Sequence, residues 1–158
     1  MLQLTSSAFQ HKGRIPTRFT CDGENISPEL SWTGAPANAN SFVVIMHDPD
    51  APRAGSFTHW VLYNIPEMVS HLEPQVPQQE RVVGVGIQGK NDSGTIGYTG
   101  PCPPSGSHRY FLRLFALDAK LDIEPGASAE RVQEAMRGHI LEQAELMGTY
   151  ARVAKKVA

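Results

Sequence analysis

Hydrophobic positions fall in short runs through the first two-thirds of the chain and recur at wider spacing near its end. Phe42–Met46 is an unbroken apolar run with β-branched members, short enough to read as a buried strand. His59–Ile65 is aromatic and apolar, lies between Gly55 and Pro66, and reads the same way. Arg81–Val85 is a shorter candidate, and Tyr110–Leu117 is the strongest of all. Gln3–Thr5 and Leu30–Trp32 suggest two further short strands. After Pro125 the period changes: Val132, Ala135, Met136, His139, Ile140 and Met147 recur at helical spacing. Ser128 is placed to cap this helix with Glu130 in its first turn, Gly148 to stop it, and Gly138 to bend it or split it in two. Thr149–Val153 would then be a last short strand. The stretch 86–107 is too irregular for one element, and a loop of that length is usually functional or mobile. Strands first and helices late predict a largely antiparallel sheet with one or two C-terminal helices, not a parallel α/β sheet.

The length of 158 residues fits a single domain spanning 1–158, large enough to bury a full core without metals or disulfide staples. With 41% apolar and 19% charged residues the composition is globular. Fourteen basic against 16 acidic side chains give a formal net charge of −2, which argues against a general nucleic-acid binder or a polybasic membrane binder, though not against a small anion site. No run of 18 apolar residues is present, so no transmembrane helix is expected. The first residues lack the charged and apolar regions of an ordinary secretory signal. Together with only two cysteines, read as free buried thiols at Cys21 and Cys102, this predicts a reducing, cytoplasmic setting.

Several segments carry candidate chemistry. Gly84–Gly89 matches G-x-G-x-x-G in form, but Lys90-Asn91-Asp92-Ser93-Gly94 follows, which is turn chemistry and not the helix a dinucleotide needs. Asn25-Ile26-Ser27 and Asn91-Asp92-Ser93 match the glycosylation pattern and are read as chance. His47-Asp48-Pro49-Asp50-Ala51-Pro52 ends an apolar strand, and its prolines force a sharp turn with Asp48 and Asp50 at the strand's mouth. Ser107-His108-Arg109-Tyr110 opens the strongest strand; alternation puts His108 and Tyr110 on one face and Arg109 on the other. In the preceding loop Gly100 has backbone N–H groups open to an anion. If the strand ends bearing Asp48, Asp50, His59 and His108 converge, they form a pocket of two imidazoles, two carboxylates and the Tyr110 phenol. Such a set suits an anion site, a zinc site or acid–base catalysis; no spaced metal motif and no activated nucleophile accompanies it.

Asp48-Pro49-Asp50-Ala51-Pro52 followed by His59, and Gly100-Pro101 leading into Gly106-Ser107-His108-Arg109-Tyr110, resemble the phosphatidylethanolamine-binding protein family, also called Raf kinase inhibitor-like proteins. The segment Asp22–Trp32 is similar to that family as well, and the short length resembles its bacterial and archaeal branch. The resemblance implies a two-sheet antiparallel β-sandwich with C-terminal helices. It implies a small pocket for phosphate or phospholipid head groups lined by Asp48 and His59 with His108 and Tyr110 opposite, Asp50 as the second acid, and Gly100 and Pro101 at the rim. It also implies a cis Ala51–Pro52 bond. Two departures stand out: Cys102 interrupts the usual Gly-Pro-Pro, and Phe57 stands where eukaryotic relatives often carry Trp.

The expected function is therefore non-enzymatic binding of a phosphate-bearing small molecule or lipid head group, without cofactor or metal. The alternatives are a protein-interaction module that inhibits a kinase or hydrolase through the pocket rim, and an unrecognised hydrolase or metal enzyme. A homodimer through exposed parts of the C-terminal helices is a further expectation.

Overall fold

The computed structural model describes residues 1–52 and 56–152. Gly55 and Val153, each a strand boundary in the sequence reading, lie outside the described residues. Among the described residues nine strands and one α-helix follow in order: β1 (Gln3–Thr5), β2 (Leu30–Thr33), β3 (Ser41–Asp48), β4 (Phe57–Pro66), β5 (His71–Leu72), β6 (Arg81–Val82), β7 (Gly86–Gln88), β8 (Ser107–Leu117), α1 (Ala129–Met136) and β9 (Ile140–Ala151). They form two antiparallel sheets, one ordered β1-β2-β5 and the other β6-β7-β4-β3-β8-β9. The fold is mainly β, a two-sheet sandwich with one helix.

The large sheet is covered on both sides. On one face Phe42, Val44, Met46, Trp60, Leu62, Leu112 and Leu114 meet Leu4, Leu30, Trp32 and Leu72 of the small sheet. On the other face Val43, Ile45, Val61, Tyr63, Phe115 and Leu117 meet Val132 and Met136 of α1 with Leu121 and Ala127 before it. This explains why Phe42–Met46 is continuously apolar: a central strand buried on both faces has no solvent side on which to alternate.

The helix begins as its sequence predicts, with the Ser128 hydroxyl accepting from the Arg131 N–H at 3.1 Å. It ends much sooner. Met136 closes it, Gly138 turns left-handed at φ +80°, and the second half of the expected helix is instead the twelve-residue strand β9, paired along the whole of β8. Leu146, Gly148 and Tyr150 are buried and their neighbours are not, which is a period of two. Helix-forming Leu141, Glu142, Gln143, Ala144 and Glu145 are overridden here by the free edge of β8. Gly148 is no helix stop. A Cβ there would stand 2.5 Å from Ile15 Cγ1 and 2.7 Å from Phe9 Cε2, so it makes room for the N-terminal segment.

Candidate functional site

Three strand ends converge beside the loop 89–106. β3 terminates at Asp48 because Pro49 and Pro52 follow it. Antiparallel pairing of β3 with β8 then brings the first residues of β8 alongside, and His108 and Tyr110 share the inward face while Arg109 is exposed, as alternation predicts. His59 arrives by a different device. Met46 pairs with Trp60 and His47 with Thr58, so His59 is the extra residue of a β-bulge in β4. Plain alternation would turn it away from the Trp60 face; the bulge lets it join that face, its ring 5.3 Å from that of Tyr110.

The resulting cavity holds about 220 Å³. Asp48, His59, His108 and Tyr110 lie on its wall, 3%, 5%, 7% and 1% exposed. Phe57, Pro52, Pro103 and Pro104 give it an apolar collar, and Ser93 and Thr99 come from the long loop. The His108 Nδ1 lies 2.6 Å from Asp48 Oδ2, and a carboxylate only accepts, so Nδ1 carries the proton. Asp48 Oδ1 accepts from the Asp50 backbone N–H at 2.7 Å. His59 Nδ1 lies 2.8 Å from the Thr99 carbonyl oxygen and donates to it by the same reasoning. Both rings are thus fixed at Nδ1. Among the described residues neither Nε2 has a protein partner, and neither is among the sealed unpartnered atoms, so both open onto the cavity. The Tyr110 hydroxyl is sealed from solvent and unpartnered.

Burial sets the proton inventory. Desolvation pushes the His59 imidazole below its ordinary value of 6.5, against the opposing pull of the Thr99 hydrogen bond and the Asp48 charge. Burial, reinforced by the Asp48 and Asp50 charges, pushes the Tyr110 phenol up, so it stays a donor across the physiological range. Neutral imidazoles protonated at Nδ1 present lone pairs at Nε2; each becomes a donor only on taking a further proton. The cavity can therefore accept a hydrogen bond from a protonated ligand, or take up a proton and donate to an anion.

Of the residues singled out from sequence, Asp48, His59, Gly100, His108 and Tyr110 are brought together, and Asp50 and Pro101 are not on the wall. Asp50 instead grips Arg109: its carboxylate accepts from the Arg109 backbone N–H and from Nε and Nη2, each at 2.9 Å. Those contacts hold the Asp50 carboxyl down to about 2. The pair clamps the turn after β3 to the start of β8. Pro101 accepts from the Cys21 N–H at 3.1 Å. The Gly100 N–H, expected to face an anion, donates to Asn25 Oδ1 at 2.8 Å and is spent. That contact also occupies the first glycosylation match, and Asn91 in the second is 3% exposed with its amide nitrogen donating to Thr95 Oγ1 and the Gly97 carbonyl. No cis peptide bond occurs among the described residues, so the Ala51–Pro52 bond is trans.

The cysteines also depart from expectation. Cys21 and Cys102 are not separate buried thiols but a disulfide, with Cα atoms 5.4 Å apart, and both residues are exposed. The fold brings residues 17–25 against the loop 98–102, a convergence between positions 81 apart that spacing alone does not reveal. Sequence reasoning missed Ser93, Thr99 and Pro52 as wall residues, while Pro103 and Pro104 line the wall beside Gly100 as the rim loop implied. Thr99 acts through its carbonyl oxygen, which leaves no trace in the side-chain pattern. Among the described residues no group of three or more His, Cys, Asp or Glu is arranged to hold a metal ion, and no helix is long and apolar enough to cross a membrane.

Residues 5–151 match the phosphatidylethanolamine-binding protein family. The chain belongs to that family. A UPF0098 protein of the archaeon Methanothermobacter thermautotrophicus is 58% identical over 151 residues, covering 96% of this chain and 99% of its own. A UPF0098 protein of Aquifex aeolicus is 46% identical over 155 residues, covering 96% and 90%. The crystal structure of a phosphatidylethanolamine-binding protein homologue from Chlamydia trachomatis superposes with a TM-score of 0.89 at 42% identity, covering 96% of this chain and 98% of that one. Escherichia coli YbcL, described as a new member of the mammalian family, superposes with a TM-score of 0.89 at 30% identity, covering 96% and 99%. These relatives fit the bacterial and archaeal branch of the phosphatidylethanolamine-binding proteins, and none of them is named as an enzyme.

Proposed function

We propose that this phosphatidylethanolamine-binding protein homologue binds, without chemical turnover, the phosphate head of a small phosphate ester or phospholipid. The observation that carries the reading is the pair of histidines fixed at Nδ1 that open two unpartnered Nε2 atoms onto one cavity. A phosphate monoester with one proton fits such a pair: its P–OH donates to one Nε2, and its charged oxygens accept from the other once that ring is protonated. Asp48 acts on His108 rather than on the ligand, since both its oxygens are engaged. The Tyr110 hydroxyl is unpartnered but sealed in the free protein, so it becomes a further donor where an entering oxygen displaces the wall that covers it. About 220 Å³ accommodates a head group, not two acyl chains, so a lipid enters head first with its glycerol at the apolar collar. The free-thiol argument for a reducing compartment falls with the disulfide.

The test is a titration with O-phosphorylethanolamine near pH 6.5, following the histidine ring signals by NMR. Saturable shifts confined to His59 and His108, weakened in both His59→Ala and His108→Ala, support the reading. Rings that stay silent, or that respond only to added zinc, sink it.

A further inference from the structure

We propose that the Cys21–Cys102 disulfide is a redox latch on the cavity wall, released by a dithiol reductant and reset by the oxidised form of the same couple. The inference builds on the anion-binding reading of the cavity and adds its regulation.

Cys102 itself lines the cavity, in a stretch with Pro103 and Pro104 that forms the collar. The facing segment carries Cys21, just after the 3-10 turn Thr17–Phe19. Three hydrogen bonds also join the two segments: Tyr98 Oη to the Phe19 carbonyl at 2.6 Å, the Gly100 N–H to Asn25 Oδ1 at 2.8 Å, and the Cys21 N–H to the Pro101 carbonyl at 3.1 Å. All three reach positions 98–101. Among the described residues no hydrogen bond runs from 102–106 to the facing segment. Beyond Pro101 the collar is tied across by the disulfide, and next anchored where β8 begins at Ser107.

Both cysteines are exposed, so a thiolate can reach the bond from solvent. One thiolate of the dithiol adds to one sulfur and expels the other cysteine as a thiolate. The second thiol of the reductant then displaces the mixed disulfide. Two electrons and two protons pass to Cys21 and Cys102, and the dithiol leaves as its disulfide. Phe19 and Tyr98 stay packed in the core on either side of the bond and the strands pair without it, so releasing the latch loosens the collar and leaves the sandwich standing. If the freed wall keeps its binding position about a tenth of the time, apparent affinity for the anion falls about tenfold.

The test uses the full chain, oxidised and after complete reduction by a thioredoxin-class dithiol, with two readouts. Backbone order parameters are measured by NMR relaxation at Cys102, Ser105 and Gly106, and O-phosphorylethanolamine is titrated into each form. The expected result is order parameters at those positions that fall below about 0.6 on reduction, unchanged hydrogen-exchange protection in β3 and β8, and affinity about tenfold weaker. The double variant Cys21→Ser with Cys102→Ser should match the reduced protein in both readouts; if it does not fold, the reduced natural chain carries the test. Resistance of the native disulfide to the dithiol overturns the proposal, as do unchanged order parameters at the three positions after full reduction. Loss of protection across β3 and β8 also overturns it, because the bond is then a staple of the whole fold. If neither form binds the phosphate ester, the anion reading fails and the order parameters alone decide whether the latch exists.

Discussion

The Tyr110 hydroxyl is a donor kept dry and given nothing to bond. An unsatisfied buried hydroxyl costs about 1–3 kcal/mol, so its removal without loss of the ring should leave the free protein as stable as before or slightly more so. The ring itself packs against His59 and stacks on His108, contacts that phenylalanine preserves. Tyr110→Phe should therefore hold or raise the melting temperature while weakening O-phosphorylethanolamine binding by about tenfold, the worth of one hydrogen bond to a charged acceptor. Calorimetry on both proteins checks it. Lower stability with unchanged affinity would make the phenol a structural group and remove it from the site.

At the scale of elements, β9 is the part most sensitive to a small change. Gly148 lies under Phe9 and Ile15, and a methyl group there must displace one of them or bend the strand. Gly148→Ala should destabilise the protein by about 1–3 kcal/mol, measured by urea unfolding, as overpacking does in a filled core. No loss of stability would mean that the N-terminal segment yields freely. The same strand marks how far sequence patterning reached. β3, β4 and β8 were legible because their apolar runs are short and turn-bounded, and the helix start because Ser128 is placed to cap it. Residues 140–147 were not, because local helix propensity competes there with an edge that exists only once β8 is folded. The site divides the same way. Alternation placed His108 and Tyr110 together with Arg109 behind them. It could not place His59, whose direction depends on the register between two strands, and it could not foresee that Asn25 takes the Gly100 N–H across 75 positions.

For the whole molecule, pH should act on stability and on binding in opposite directions. Burial depresses His59 below 6.5, and burial with the Arg113 charge beside it does the same to His47. The unfolded chain then binds more protons than the folded one as pH falls through about 6.5, so stability declines with acidification in that window. Asp50 does not contribute there. With its carboxyl held at about 2, its stabilising share is intact until pH drops below 3.8. An anion that needs His59 protonated reverses the trend for the complex. The melting temperature of the free protein should drop between about pH 7.5 and 5.5, and the increment added by saturating O-phosphorylethanolamine should grow over the same range. Scanning calorimetry with and without ligand measures both. A flat profile for the free protein would show that neither histidine is held neutral, and a ligand increment that shrinks in acid would remove proton uptake from the binding step.

The surplus residue at position 59 of β4 separates two things that a strand normally couples: which face a side chain addresses, and the phase of the side chains after it. Trp60, Val61 and Leu62, which follow it, alternate between the two cores. Removing one residue at the bulge would return that stretch to simple alternation and send the neighbouring position, Thr58 or His59, to the wrong side without disturbing the sandwich. The recognition chemistry of this end of the fold can thus be rewritten one insertion at a time, independently of the architecture that carries it.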